Sequence, residues 1–360
     1  MSSSPGQAAA GTPRVVIVGA GAWGTTLAML VARSEPVVLL GHSWESIERD
    51  VEPDGSLRRL PGVALPDGVD LTADPGAIDL ASDLVIFAVP SAHLRASVTQ
   101  VAGRLPETAA VLSVVKGLEE RTLFRMTEVI ADASAAAAPI DAGRIAALSG
   151  PNLALEIAKG LPASAVIASR DAELGDRVVA RLSRREFRLY TNPDVLGVEL
   201  CGALKNIVAI AAGAADGLGF GDNGKAGLMT RGLAEMTRLG IAAGANPLTF
   251  AGLAGIGDVV ATCGSKLSRN HRLGEELARG RAWREIEAAL PGVAEGAYTV
   301  DAALALAARH GVEMPIAQEV HNALFEGKSV QRCLIDLLAR ESKDELADFQ
   351  VWIDRLGIRA

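Results

Sequence analysis

The feature that most limits how this chain folds is a glycine-rich turn. Gly19-Ala20-Gly21-Ala22-Trp23-Gly24 follows the apolar run Arg14-Val15-Val16-Ile17-Val18 and precedes the helix-like stretch Thr25 to Arg33. The pattern G-x-G-x-x-G is a weak signal alone and gains meaning between a strand and a helix near the start of a domain. Gly19 would permit the tight turn, Gly21 would let backbone approach a pyrophosphate, and Gly24 would let helix and strand pack closely. Free N–H groups at the start of the helix would then bind the anion. The alternative is a tight turn that holds no ligand. In this motif a carboxylate about 20 residues on grips the ribose 2′-hydroxyl of NAD. Here the chain after Leu39-Leu40 reads Gly41-His42-Ser43, with no acid. His42, Ser43 and Arg33 would tolerate or bind a 2′-phosphate, so the cofactor expected is NAD or NADP, leaning to NADPH. An ordinary surface histidine is the other reading of His42.

Further apolar runs follow at Val37 to Leu40, Asp83 to Val89, Ala110 to Val115, Ile145 to Leu148 and Ala165 to Ala168, separated by helical segments. Continuous apolar strands between helices imply a parallel sheet covered on both faces. The expectation is an α/β chain with a Rossmann-like, doubly wound domain over 14–192, preceded by a flexible Ser-, Gly- and Ala-rich tail at 1–13. Near 192 the period changes. Asn192-Pro193 reads as a helix start, with Asn as cap and Pro in the first helical position. Leu228 to Ala243, Asn270 to Arg279, Ala297 to His310, Ile316 to Phe325 and Ser329 to Leu338 read as helices, so 193–360 is expected to be an all-α substrate-binding domain. At roughly 150 residues per domain, 360 residues accommodate both.

Charge and cysteine content exclude several function classes. With 35 Lys and Arg against 43 Asp and Glu, the net charge is −8, which argues against a general grip on nucleic acid or an acidic membrane. Arg181, Arg184, Arg185 and Arg188 read as a solvated face. Three distant cysteines, Cys201, Cys263 and Cys333, form no C-x-x-C, so neither zinc nor a disulfide framework is expected. No uncharged apolar run reaches membrane-spanning length, and a cytoplasmic location is expected. Ala131 to Ala138 reads as a surface helix end or loop.

Open α/β sheets bind ligands at the carboxyl ends of their strands. Pro90-Ser91, Lys116-Gly117 and Gly150-Pro151-Asn152 lie at such ends and define one rim. In the second half, Val198 to Ala212 is apolar almost all round, yet carries Lys205 and Asn206. A buried ammonium must be paired, neutral or facing a polar cleft, unless it snorkels to solvent. Gly202 and Gly213 weaken that helix and make sense where a backbone or ligand approaches. Gly255-Ile256-Gly257-Asp258 puts a carboxylate at a flexible turn, as a helix cap or as part of a site. Ser268-Arg269-Asn270 starts a helix with Arg272 in its first turn, a poor place for cations unless a phosphate binds there. Gly219 to Lys225 imitates a phosphate-binding loop, but Ala226 supplies no hydroxyl for magnesium and no strand precedes it. It reads as an interhelical loop.

As an ordered set, these strings carry a resemblance. Gly19 to Gly24 with Trp23, Lys116-Gly117-Leu118, Ser149-Gly150-Pro151-Asn152, Asn192-Pro193-Asp194, Leu204-Lys205-Asn206, Asp216 to Gly221, Arg231 to Met236, Gly257-Asp258 and Ser268-Arg269-Asn270 occur in sequence. From about Arg14 to Asp344 the chain resembles bacterial-type NAD(P)-dependent glycerol-3-phosphate dehydrogenases. The resemblance implies reversible reduction of dihydroxyacetone phosphate to sn-glycerol 3-phosphate for glycerophospholipid synthesis, in a cytoplasmic homodimer. It implies Lys205 as proton donor and acceptor, and Lys116 in contact with substrate and cofactor. Gly150, Asn152, Asp258, Ser268, Arg269 and Asn270 match substrate positions. Ala22, Trp23, Ala154, Val293 and Glu295 match cofactor positions, Arg269 is implied near the cofactor too, and Pro291-Gly292 departs from the family's usual pattern. No metal is implied. Two other readings share part of the pattern: a β-hydroxyacid or sugar-acid dehydrogenase, and a non-catalytic dinucleotide-binding redox sensor.

Overall fold

A computed structural model describes residues 14–52, 56–79, 82–290 and 292–341. The expected tail at 1–13, Pro291 and the chain beyond 341 lie outside the described residues. The strands are β1 (Arg14–Val18), β2 (Val37–Leu40), β3 (Ser56–Leu57), β4 (Leu60–Ala64), β5 (Val69–Thr72), β6 (Ser82–Phe87), β7 (Ala110–Ser113), β8 (Ile145–Ser149), β9 (Ala163–Ala168) and β10 (Phe187–Asn192). Eight form one sheet in the order β10-β9-β8-β7-β6-β1-β2-β5, and β3 pairs with β4 as a separate hairpin. Side chains alternate across a strand, so Val15 and Ile17 enter one core while Val16 and Val18 enter the other. Both faces are thereby covered, as a doubly wound sheet requires.

The sheet is not wholly parallel as expected. β8 and β9 pair antiparallel, and β10 runs parallel to β9, so the last two strands oppose the other six. Edge strands β5 and β10 and the hairpin are additions to the sequence reading. β10 buries Phe187 and Leu189 but exposes Arg188 and Tyr190, so it lacks the continuous apolar run of a central strand. The basic run around it is not simply solvated. Arg181 pairs with Glu35 and with Asp83 at 2.5 Å, and Arg184 donates to the Leu30 carbonyl at 3.0 Å. These contacts fasten the helix Ala172–Leu182 and the turn after it to neighbouring parts of the sheet domain.

A central helix, Val195–Gly217, follows β10. Its cap is Asp194, not Asn192: Asp194 Oδ1 accepts from the Gly197 N–H at 2.9 Å, while Asn192 ends β10 and accepts from the Asp194 N–H at 2.8 Å. Helices Gly221–Ala243, Arg269–Ala278, Glu295–Arg309 and Pro315–Phe325 pack against the central helix. The first begins at Gly221, so most of the loop expected over 219–226 is helical. By length and mean hydropathy of 1.7 the central helix could cross a membrane, but 94% of its apolar window is buried within the fold. Its glycines allow close crossing: a Cβ on Gly213 would lie 1.9 Å from the His271 carbonyl oxygen, and one on Gly202 would lie 2.7 Å from Ser149 Oγ. Ala147 of β8 and Val166 and Ala168 of β9 share one apolar core with this helix. That shared core packs one face of β8 and β9 against the helix that carries Lys205.

Candidate active site

The glycine turn has the geometry its sequence requires. Gly19 has φ +118°, and a Cβ there would meet the Ala88 carbonyl oxygen at 2.6 Å. A Cβ on Gly24 would lie 1.9 Å from the Gly19 carbonyl oxygen. Gly21 differs: nothing stands closer to its missing Cβ than a guanidinium nitrogen of Arg59, at 4.0 Å. This open backbone, the start of the helix Ala22–Ala32 and the Arg59 cation together suit an anion such as a dinucleotide pyrophosphate. Trp23 lies edge-on to Phe187 at 6.1 Å, and its buried indole N–H has no partner among the described residues. Thr26 Oγ1 donates to the Ala154 carbonyl at 3.2 Å, which sets Ala154 beside this helix. The Gly19 N–H donates to the Leu40 carbonyl at 2.8 Å, so exposed His42 lies just past the strand end that touches the turn. Ser43 Oγ accepts from the Ser46 N–H and caps the next helix. Arg33 is not brought to this end. It closes an 11-residue helix about 16 Å from the turn and pairs with Glu186 at 3.4 Å, which removes it from the expected phosphate contacts.

At the interdomain rim, one carboxylate joins two ammonium groups. Lys205 is 6% exposed, and its Nζ donates to Asp258 Oδ1 at 3.0 Å and to Thr262 Oγ1 at 2.6 Å. Lys116, from the end of β7, donates to Asp258 Oδ2 at 2.5 Å and to the Gly150 carbonyl at 2.9 Å. Each ammonium has three N–H donors, so each retains one for a ligand. Burial pushes the Lys116 ammonium down to about 8; Asp258 opposes this and the Lys205 charge adds to it. At Asp258 burial favours the neutral acid, but Lys116 and Lys205 outweigh it and hold the carboxyl below its usual range. With all three ionised, the group carries one net positive charge in a dry place, a setting that attracts an oxyanion.

Asp258 was expected on a flexible turn. It instead follows a π-helical turn, Leu253–Gly257, and opens the helix Asp258–Gly264. There Asp258 and Thr262 stand one helical turn apart, and both face Lys205. Asn152 lies after β8, with both amide side-chain atoms buried and without partners among the described residues. Buried polar atoms are nearly always paired, and this amide keeps both of its polar atoms open to a ligand.

The Ser268-Arg269-Asn270 string divides its work. Ser268 Oγ caps its helix by accepting from the His271 N–H at 3.2 Å. Asn270 Nδ2 donates to Asn206 Oδ1 at 2.9 Å, and Asn270 Oδ1 accepts from the Gly296 N–H at 2.9 Å, so its side chain ties three helices together. Arg269 is exposed, and its guanidinium lies so close to Gly292 that a Cβ there would stand 2.5 Å from Nη1. Glycine in the Pro291-Gly292 string therefore leaves room for that arginine. Glu295 accepts from the Ser91 N–H at 3.2 Å and from Ser91 Oγ at 2.5 Å, linking two rim segments across the domains. Val293 is partly buried in the segment between Arg269 and Glu295.

Two residues that meet these groups escaped the sequence reading. Thr262 was detectable, because Asp-x-x-x-Thr places both side chains on one helical face. Arg59 was not: it follows β3, pairs with Asp50 at 3.2 Å, and reaches the glycine turn only because the β3–β4 hairpin packs over Ala154 and Leu155. No group of three His, Cys, Asp or Glu side chains arranged to hold a metal ion occurs among the described residues.

Comparison with known proteins places this geometry. The pattern of the NAD-dependent glycerol-3-phosphate dehydrogenase N-terminus matches residues 14–175, and that of the corresponding C-terminus matches 194–335. A relative from Streptomyces griseus, glycerol-3-phosphate dehydrogenase [NAD(P)+], is 45% identical over 333 residues, which is 92% of this chain and 98% of the relative. A relative of the same name from Chlorobium limicola is 43% identical over 92% of this chain and 99% of its own. The crystal structure of glycerol-3-phosphate dehydrogenase from Coxiella burnetii superposes with a TM-score of 0.85 at 35% identity, covering 91% of this chain and 99% of that one. With both halves matched around a glycine turn and a two-lysine carboxylate, this chain belongs to the NAD(P)-dependent glycerol-3-phosphate dehydrogenase family.

Proposed function

We propose that the chain reversibly reduces dihydroxyacetone phosphate to sn-glycerol 3-phosphate with NADH or NADPH. The observation that carries the reading is the Lys116–Asp258–Lys205 group, net positive and buried, at the seam between the sheet and the helical domain. The Gly19–Gly24 turn would hold the pyrophosphate of the reduced cofactor, which would supply the hydride. As charge builds on the substrate's ketone oxygen, Lys205 stabilises it and gives it a proton, while Asp258 and Thr262 keep the amine charged and aimed. Lys116 and Asn152 orient the polar end of the substrate. Arg269, at a helix N-terminus, takes the phosphate, with Ser268 and Asn270 shaping the backbone around it. Gly21, Trp23, Ala154, Glu295 and Val293 line the cofactor path, and Arg59 steadies its pyrophosphate. His42, with no acid at the end of β2, supports acceptance of NADPH. The resemblance further supports a cytoplasmic homodimer that supplies glycerophospholipid synthesis.

The test is cofactor oxidation followed by absorbance. Dihydroxyacetone phosphate is expected to turn over, and a 2-keto acid is not; binding of cofactor with no turnover would favour the sensor reading. Arg269→Ala is expected to raise KM for dihydroxyacetone phosphate about 10- to 100-fold with a smaller change in kcat, the cost of one charge-assisted contact. If wild type reduces unphosphorylated dihydroxyacetone equally well, the phosphate role of Arg269 is wrong.

The Lys116 ammonium is present below about 8 and is lost as the pH rises through that value. The expected kcat/KM for reduction therefore falls on the alkaline side. Lys116→Arg, which stays charged, should remove that limb from the profile. A limb unchanged in this variant would assign it to another group.

A further inference from the structure

Between Lys116 and Arg125 the chain leaves β7 and folds back as a tongue into the helical domain. Leu118 bridges to Arg125, the Glu119 N–H donates to the Phe124 carbonyl at 2.9 Å, and Leu123 takes φ 61°, the sole positive φ outside glycine among the described residues. Leu118, 3% exposed, is part of the core around the central helix, and Leu123 packs against that core. At the tongue's end stands a buried ion pair that the mechanism above does not use. Glu199, on the central helix and 7% exposed, accepts from Arg125 Nη1 at 2.7 Å, from the Thr127 N–H at 2.8 Å and from Thr127 Oγ1 at 2.7 Å.

Stability alone is a poor reason for such a pair, because apolar side chains of similar volume hold a core as well or better. Leucine contacts leave a tongue free to slide, whereas three directional bonds to one carboxylate fix its register. The left-handed backbone at Leu123 is consistent with a conformation its surroundings over-determine. The tongue thus runs from a clamp at Glu199 to Lys116, whose ammonium meets Asp258 and the Gly150 carbonyl. We propose that Glu199, Arg125 and Thr127 form a positioning clamp, which sets the tongue on the central helix and so places Lys116 against Asp258. The inference rests on the role given to Lys116 above.

A double-mutant cycle tests it. Glu199→Gln in the intact enzyme is expected to lower kcat/KM for dihydroxyacetone phosphate about tenfold or more, and to change it less than about twofold in a Lys116→Ala background, because the clamp acts through that lysine. A Glu199→Gln loss that persists in full in the Lys116→Ala background overturns the clamp while leaving Lys116 its role. Normal turnover in Lys116→Ala alone removes the role of Lys116, and the clamp with it. If Glu199→Gln fails to fold, Thr127→Val, which deletes one bond to Glu199, runs the same cycle with the same expected coupling; independent losses, or no loss in the intact enzyme, overturn the proposal.

Discussion

Lys205→Met is expected to lower kcat for reduction by about a thousandfold or more, with binding of the reduced cofactor within about twofold of wild type. Methionine fills a similar volume on the central helix but supplies neither the positive charge nor the proton that the developing alkoxide needs. The loss should fall on kcat more than on KM, because the contact strengthens as charge develops on the oxygen. Cofactor affinity should survive, since the glycine turn and its helix do not depend on the Lys205 side chain. Near-normal turnover would show that another group, or solvent, supplies the proton.

Asp258→Asn should combine the loss of activity with a loss of stability. Asp258 is 1% exposed and is the anion that both Lys205 and Lys116 contact. Asparagine keeps the shape but leaves two ammonium groups buried without their counter-ion, a change that costs about 3–5 kcal/mol. For a chain of this size the melting temperature should drop by about 4–7 degrees. The deficit depends on pH. Without the carboxylate, the Lys116 amine loses the neighbour that opposes its burial and binds a proton less readily in the folded state than in the unfolded chain, so the variant should regain stability as pH rises. Thermal melts at acid and alkaline pH check the sign. A deficit that is flat with pH would mean the amines are not paired through this carboxylate.

The N-terminal half was legible because its chemistry is local. Val15 to Val18 followed by Gly19-Ala20-Gly21 can be read as strand and turn without knowing the partner strands, and Gly24 needed only its contact with Gly19. Edge strands were not legible. Val69 to Thr72 and Phe187 to Asn192 are apolar on one face at most, and the direction of β9 is set by pairing with β8 rather than by residue type. At the site, a lysine in an apolar helix announced itself because an unpaired buried charge cannot persist. Its partners were a different matter. Lys116 and Asp258 stand 142 residues apart in sequence and meet through the tertiary fold. Arg33 failed for a geometric reason: a cation one helix-length from the turn sits at the wrong end of that helix. Arg59 gave no signal: it reaches the glycine turn on a hairpin whose packing no local pattern records.

The central claim is that the amine of Lys205 stands where the ketone oxygen gains its proton, in a pocket shared by both domains. The most direct measurement is a crystal structure of the complex with oxidised cofactor and sn-glycerol 3-phosphate. The account predicts Lys205 Nζ within about 3 Å of the substrate's C2 oxygen, the phosphate on Arg269, and the nicotinamide ring over C2. A C2 oxygen hydrogen-bonded to some other group, with Lys205 still closed on Asp258 and Thr262 alone, would contradict it.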